Sequence, residues 1–71
     1  MERFGEKLHQ LRKKHHLTLQ VLAVELGYVA HSHLSQIEAG KKKPTVEFVL
    51  KVASRFNVST DQLLKDELEV E

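Results

Sequence analysis

The sequence predicts an all-α domain of five short helices, and three observations carry that reading. Apolar residues recur three and four positions apart along most of the chain, as on one face of a helix. No stretch makes a convincing strand. Thr18, Thr45 and Ser59 each stand just ahead of an apolar run, where a helix N-cap belongs.

Each element can be justified in turn. Phe4, Leu8 and Leu11 share a face of a first helix, whose last turn carries Arg12, Lys13 and Lys14, cations opposing the negative end of the helix dipole. Thr18 caps a second helix with Leu22, Ala23 and Leu26 inward, and Gly27 stops it. A third runs from about Ala30 to Ala39 with Leu34 and Ile37 inward and ends at Gly40. Thr45, after Pro44, caps a fourth helix, whose Val46, Val49, Leu50, Ala53 and Phe56 form the broadest apolar face in the chain. Ser59 and Gln62 have capping-box spacing and open a fifth helix carrying Leu63 and Leu64. The tight connection Gly27-Tyr28-Val29 between the second and third helices is the frame of a helix-turn-helix.

A chain of 71 residues is expected to form one small domain, and such a domain buries only about 60% of the surface its unfolded chain exposes. With no Cys, neither disulfides nor thiolate metal sites supplement its core. No apolar run approaches the roughly 18 residues of a membrane span, and the charged N-terminus lacks an apolar signal core. The expectation is a soluble, cytoplasmic protein. Charge is unevenly spread: residues 1–60 carry ten Lys or Arg against five Asp or Glu, a balance of +5, whereas residues 61–71 carry one Lys against five acids, a balance of −4. A basic body suits a polyanionic partner, and equally suits a solvated surface that keeps a small protein soluble.

The histidines do not assemble into a chemical site. His31 and His33 are two apart and diverge on a helix, unlike the i, i+4 pair that shares a ligand face; His15 and His16 are adjacent, and His9 is isolated. Nothing around Ser32 or Ser35 suggests a strained nucleophile turn or oxyanion donors, so no catalytic residue, cofactor or metal is expected.

The stretch Leu34-Ser35-Gln36-Ile37-Glu38, continued through Gly40 to Pro44, resembles the helix-turn-helix domain of the Cro and phage-repressor family, also called the xenobiotic-response-element type. The likeness runs from about Phe4 to Leu64. It implies a compact, lambda-repressor-like bundle in residues 1–64, followed by an acidic tail in residues 65–71, that binds double-stranded DNA with its third helix in the major groove. Three positions depart from the family pattern. Leu19 replaces the usual Gln that opens the second helix, the turn is one residue longer, and the usual capping position of the third helix falls on Ala30, leaving Ser32 as the expected cap.

On a helical wheel Ser32 and Gln36 point away from Leu34 and Ile37, flanked by His31 and His33. With the resemblance, His31, Ser32, His33 and Gln36 become the candidate base-reading residues, Gln being able to pair bidentately with adenine. Lys41, Lys42 and Lys43 follow that helix and are the candidate phosphate contacts. Thr18, at the start of the second helix, joins them. Tyr28 either packs on the turn or hydrogen-bonds a phosphate. Glu38 is expected to be structural, in an ion pair within the domain with Arg12. A homodimer is expected through Leu64, Leu68 and Val70, which so small a domain is not expected to bury wholly. The implied function is a sequence-specific transcriptional regulator on a pseudo-palindromic operator, with repression and activation both open and a regulatory protein partner a further expectation. The alternative is a protein-interaction module, antitoxin-like or regulator-binding, using the same fold as scaffold.

Overall fold

A computed structural model describes residues 1–28 and 30–70; Val29, in the expected turn, and Glu71, at the end of the acidic tail, lie outside them. The described residues form five helices and no strand: α1 (Phe4–Lys14), α2 (Leu19–Glu25), α3 (Ser32–Glu38), α4 (Val46–Phe56) and α5 (Thr60–Leu64). The anticipated all-α class is the observed one.

Local chemistry sets most of the boundaries. Thr18 Oγ1 accepts from Val21 N and Thr45 Oγ1 from Phe48 N, each at 3.1 Å, satisfying N–H groups that the first helical turn leaves without a partner. Ser59 and Gln62 complete a reciprocal capping box, at 3.0 Å and 2.9 Å. Gly27 and Gly40 follow α2 and α3 with φ of 85° and 78°, the left-handed conformation that ends a helix at least cost when no Cβ is present. α3 differs from expectation. It starts at Ser32 rather than near Ala30, and its N-cap is His31, which makes no side-chain capping bond, so neither Ala30 nor Ser32 serves as the cap.

Every helix contributes to one core. Phe4, Leu8 and Leu11 of α1 meet Leu22 of α2, Leu34 and Ile37 of α3, Phe48 and Val52 of α4 and Leu63 of α5, all at most 2% exposed. α1 and α3 approach closely at Gly5: a Cβ there would stand 2.4 Å from the Ile37 carbonyl oxygen and 2.7 Å from that of Glu38. Backbone atoms cannot rotate aside as a side chain would, so the α1–α3 spacing requires glycine at this position.

The inner face of α4 is rotated from the expected one. Phe48 and Val52 are fully buried, while Val46 is 77% and Leu50 55% exposed. The reason is tertiary: the Phe48 ring packs edge-on to Phe4, centroids 6.1 Å apart, and also meets Tyr28 at 5.5 Å. Seating Phe48 in the core turns Val46 and Leu50 outward.

The acidic tail is likewise integrated rather than apart from residues 1–64. Val70 is 4% exposed and belongs to the core, Leu64 is half-buried, and of the three residues expected at a dimer interface only Leu68 is exposed. Val70 is therefore corrected to a core residue, because the tail turns back onto α1 and spends its apolar side chain there. The Asp66 carboxylate accepts from the backbone N–H groups of Glu2 and Arg3, both at 3.0 Å, next to the positive end of α1. The Arg3 guanidinium grips both carboxylate oxygens of Glu69, at 3.0 Å and 3.1 Å, and the Asp66 carbonyl at 2.8 Å. Beneath this clasp, Lys7 is fully buried, and its Nζ donates to the carbonyls of Gln62 and Lys65, each at 2.6 Å. It thereby caps the C-terminal end of α5 from another helix.

The backbone N–H donors of Arg3 and Glu2 hold the Asp66 carboxyl below its usual range, and the Arg3 guanidinium does the same for Glu69. A carboxylate whose folded pKa is depressed contributes stability above its ordinary value of about 4 and loses it as pH falls through the lower folded value. Asp66→Asn is therefore expected to lower stability at neutral pH, with the gap from the parent chain closing as pH falls from about 5 through the lowered folded value. Denaturant unfolding across that range checks this; a gap independent of pH would show that the Asp66 charge is not what holds the tail.

Candidate nucleic-acid interface

α3 is seven residues long, too short to hold a direction by itself, so what it displays depends on how its two ends are gripped. At its C-terminal end the Glu38 carboxylate takes Arg12 Nε at 2.8 Å and Arg12 Nη2 at 3.2 Å, while Arg12 Nη1 donates to the Leu17 carbonyl at 2.8 Å. The anticipated Glu38–Arg12 pair is thus present, and nearly buried, the two side chains being 9% and 11% exposed. His9 Nδ1 adds a contact to Glu38 Oε1 at 3.0 Å.

With Leu34 and Ile37 in the core, His31, Ser32, Ser35 and Gln36 are exposed. His33 is not among them. It was expected on the outer flank, but its half-buried ring stacks on Tyr28, with centroids 5.1 Å apart and planes at 25°, and meets Phe48 at 5.9 Å. Tyr28 packs on the turn: half-buried against His33 and Phe48, it has Lys51 Nζ 5.1 Å from its ring centroid. Helix wheels leave His33 undecided, since it lies only about 40° from Ile37 and about 60° from Gln36.

Lys41, Lys42 and Lys43 are all exposed in the loop after α3, and among the described residues none pairs with a carboxylate. By contrast Arg3, Arg12, Lys51, Arg55 and Lys65 all have acidic partners. Between Leu26 and Val46 the sole acidic residue is Glu38, and it is turned inward. The segment therefore presents three free cations and no exposed carboxylate. At the start of α2, exposed Thr18 lines a shallow hollow together with Arg12, Lys13, His16 and Leu19. From the sequence Lys13 stands only against the dipole of α1; its proximity to Thr18 comes from the left-handed turn at His16, φ 58°, which no spacing rule foretells. Among the described residues no group of three or more His, Asp or Glu is placed to hold a metal ion, and no helix is long and apolar enough to cross a membrane.

Comparison with known proteins agrees with this geometry. The family model described as Helix-turn-helix matches residues 8–63. The chain is 41% identical over 64 residues to the HTH-type transcriptional activator BcrR of Enterococcus faecalis, covering 90% of this chain and 31% of that protein. It is 39% identical over 61 residues to the uncharacterized HTH-type transcriptional regulator YobD of Bacillus subtilis, covering 86% and 54%. It is 37% identical over 68 residues to the HTH-type transcriptional regulator SinR of Bacillus subtilis, covering 94% and 60%. The chain thus spans between 31% and 60% of the length of these relatives. No solved structure matches it significantly.

Proposed function

The chain belongs to the Cro/C1-type helix-turn-helix family, and on that premise we propose that it is a sequence-specific transcriptional regulator that lays α3 in the major groove of duplex DNA. The observation that carries the reading is the charge arrangement around α3: an exposed polar face ending in three unpaired lysines, with the only carboxylate between Leu26 and Val46, that of Glu38, folded away against Arg12. In this docking His31, Ser32 and Gln36 face base edges, whose hydrogen-bonding patterns specify sequence. Lys41, Lys42 and Lys43, with Thr18 at the start of α2 and Lys13 of α1 beside the same hollow, face phosphates, which fix position without reading bases. Each phosphate neutralised adds about −0.9 to the slope of log affinity against log salt. The relatives include an activator, so the direction of regulation is not part of the proposal.

We also propose a homodimer, whose two-fold axis calls for half-sites about 34 Å apart. Its surface is moved from the expected Leu64, Leu68 and Val70 to the outward residues of α4. Val46 and Leu50 border an apolar groove with Met1, Pro44 and Leu64, and Val70 is already committed to its own core. Burying one leucine contributes about 1.5–3 kcal/mol, so Leu50→Lys is expected to weaken self-association by about tenfold or more. Sedimentation equilibrium measures this, and an unchanged association constant would put the interface elsewhere.

Reading and anchoring should fail differently. Gln36→Ala is expected to relax preference at one base pair, a loss of about 1–3 kcal/mol of discrimination, with the fold intact. Lys42→Ala should weaken specific and random DNA alike and reduce the salt slope by about one unit. Titration against the preferred duplex, its single-base variants and random DNA separates these outcomes. Uniform weakening by Gln36→Ala, with altered base preference in Lys42→Ala, would reverse the assignment.

A further inference from the structure

The N-terminal end of α3 lacks the device that opens α2, α4 and α5. His31 makes no side-chain capping bond, whereas Thr18, Thr45 and Ser59 each do. Leu34 and Ile37 seat the inner face of α3 in the core and Glu38 holds its C-terminal end, which leaves the orientation of the uncapped end to side-chain packing. An aromatic cluster occupies the place. Phe48, fully buried and braced against Phe4, is the floor; Tyr28 from the turn lies on it at 5.5 Å, and the His33 ring is stacked on Tyr28 and set edge-on to Phe48 at 81°. Such offset and edge-to-face pairs contribute about 0.5–1.5 kcal/mol beyond the area they bury, and they favour particular ring orientations. One helical turn beyond Phe48, Lys51 Nζ donates to the Leu26 carbonyl at 3.2 Å and lies over the Tyr28 ring. α4 therefore grips both the end of α2 and the turn that leads to α3.

We propose that His33 is a positioning residue for DNA recognition: its ring, locked between Tyr28 and Phe48, sets the tilt of α3 so that Ser32 and Gln36 meet base edges, and it does not itself read a base. The inference rests on the docking of α3 proposed above and adds a division of labour within it. A side chain that reads bases must be free to reach the groove, and the ring of His33 is instead engaged on two aromatic neighbours. Misplacing α3 by a small angle would spoil hydrogen bonds to bases, which are directional, while leaving lysine contacts to phosphate nearly unchanged. The predicted signature is a loss of specificity without a loss of nonspecific affinity.

The experiment uses the full chain and a duplex that the wild-type protein selects from a random-sequence library, with random DNA as the reference. His33→Ala is expected to lower the ratio of specific to nonspecific affinity by about tenfold, the equivalent of one base contact. His33→Phe, which keeps a stacking ring and cannot hydrogen-bond a base, is expected to restore the ratio to within about threefold of the wild type. Lys51→Met, which acts from α4, should lower the ratio in the same direction by about threefold. It also keeps the test decisive if His33→Ala fails to fold. A His33→Phe chain as unspecific as His33→Ala, with preference lost at a single base pair, would overturn the proposal in favour of direct reading. An unchanged ratio in Lys51→Met or in folded His33→Ala would overturn it too. Failure of the docking itself looks different: the wild-type chain would then select no duplex over random DNA.

Discussion

The ion pair between Arg12 and Glu38 is the interaction on which the rest of the arrangement depends. It joins the last turn of α1 to the end of α3 by two charge-assisted hydrogen bonds, while the third arm of the guanidinium holds the Leu17 carbonyl ahead of α2. One side chain thereby ties α1 to α3 and to the segment that leads into α2, α2 and α3 being the two helices of the helix-turn-helix. The same pair acts electrostatically. Left exposed, Glu38 would put negative charge next to Lys41, Lys42 and Lys43; turned inward and neutralised by Arg12, it leaves their field intact. The close approach at Gly5 lets α1 and α3 come near enough for this geometry.

A domain this small gains little from its core alone, and it has no disulfide to supplement it. The chain closes on itself instead. Lys7 caps α5 from within α1, Arg3 clasps Glu69, and Asp66 sits against the first N–H groups of the chain, so the two ends hold each other in place. Exposed ion pairs contribute little singly, but here they flank two buried features, Val70 and the Lys7 amino group, whose release would uncover apolar surface and leave carbonyls without donors. The acidic tail is thus part of the scaffold, and its charge is spent largely on α1.

What the sequence revealed and what it concealed follow the range of the interactions involved. Thr18, Thr45 and Ser59 could be recognised as caps because a cap bonds to a backbone group three residues away. Leu34 and Ile37 could be placed inward for a similar reason, one helical period being enough. Phe48 could not be preferred to Leu50 from spacing alone, since the choice depends on Phe4 more than forty residues earlier and on Tyr28 in the turn. His33 was ambiguous on the wheel and is drawn inward by rings from two other elements. Val70 looked like spare apolar surface because its burial requires the tail to return to α1, a long-range event that composition does not encode.

The central claim is that Arg12 and Glu38 act as one unit in holding α3 to its scaffold. A double-mutant cycle on unfolding free energy, with Arg12→Met, Glu38→Gln and the double variant, tests it most directly. A favourable coupling of at least about 1 kcal/mol between the two sites is expected. Additive effects, with a coupling below about 0.3 kcal/mol, would contradict it.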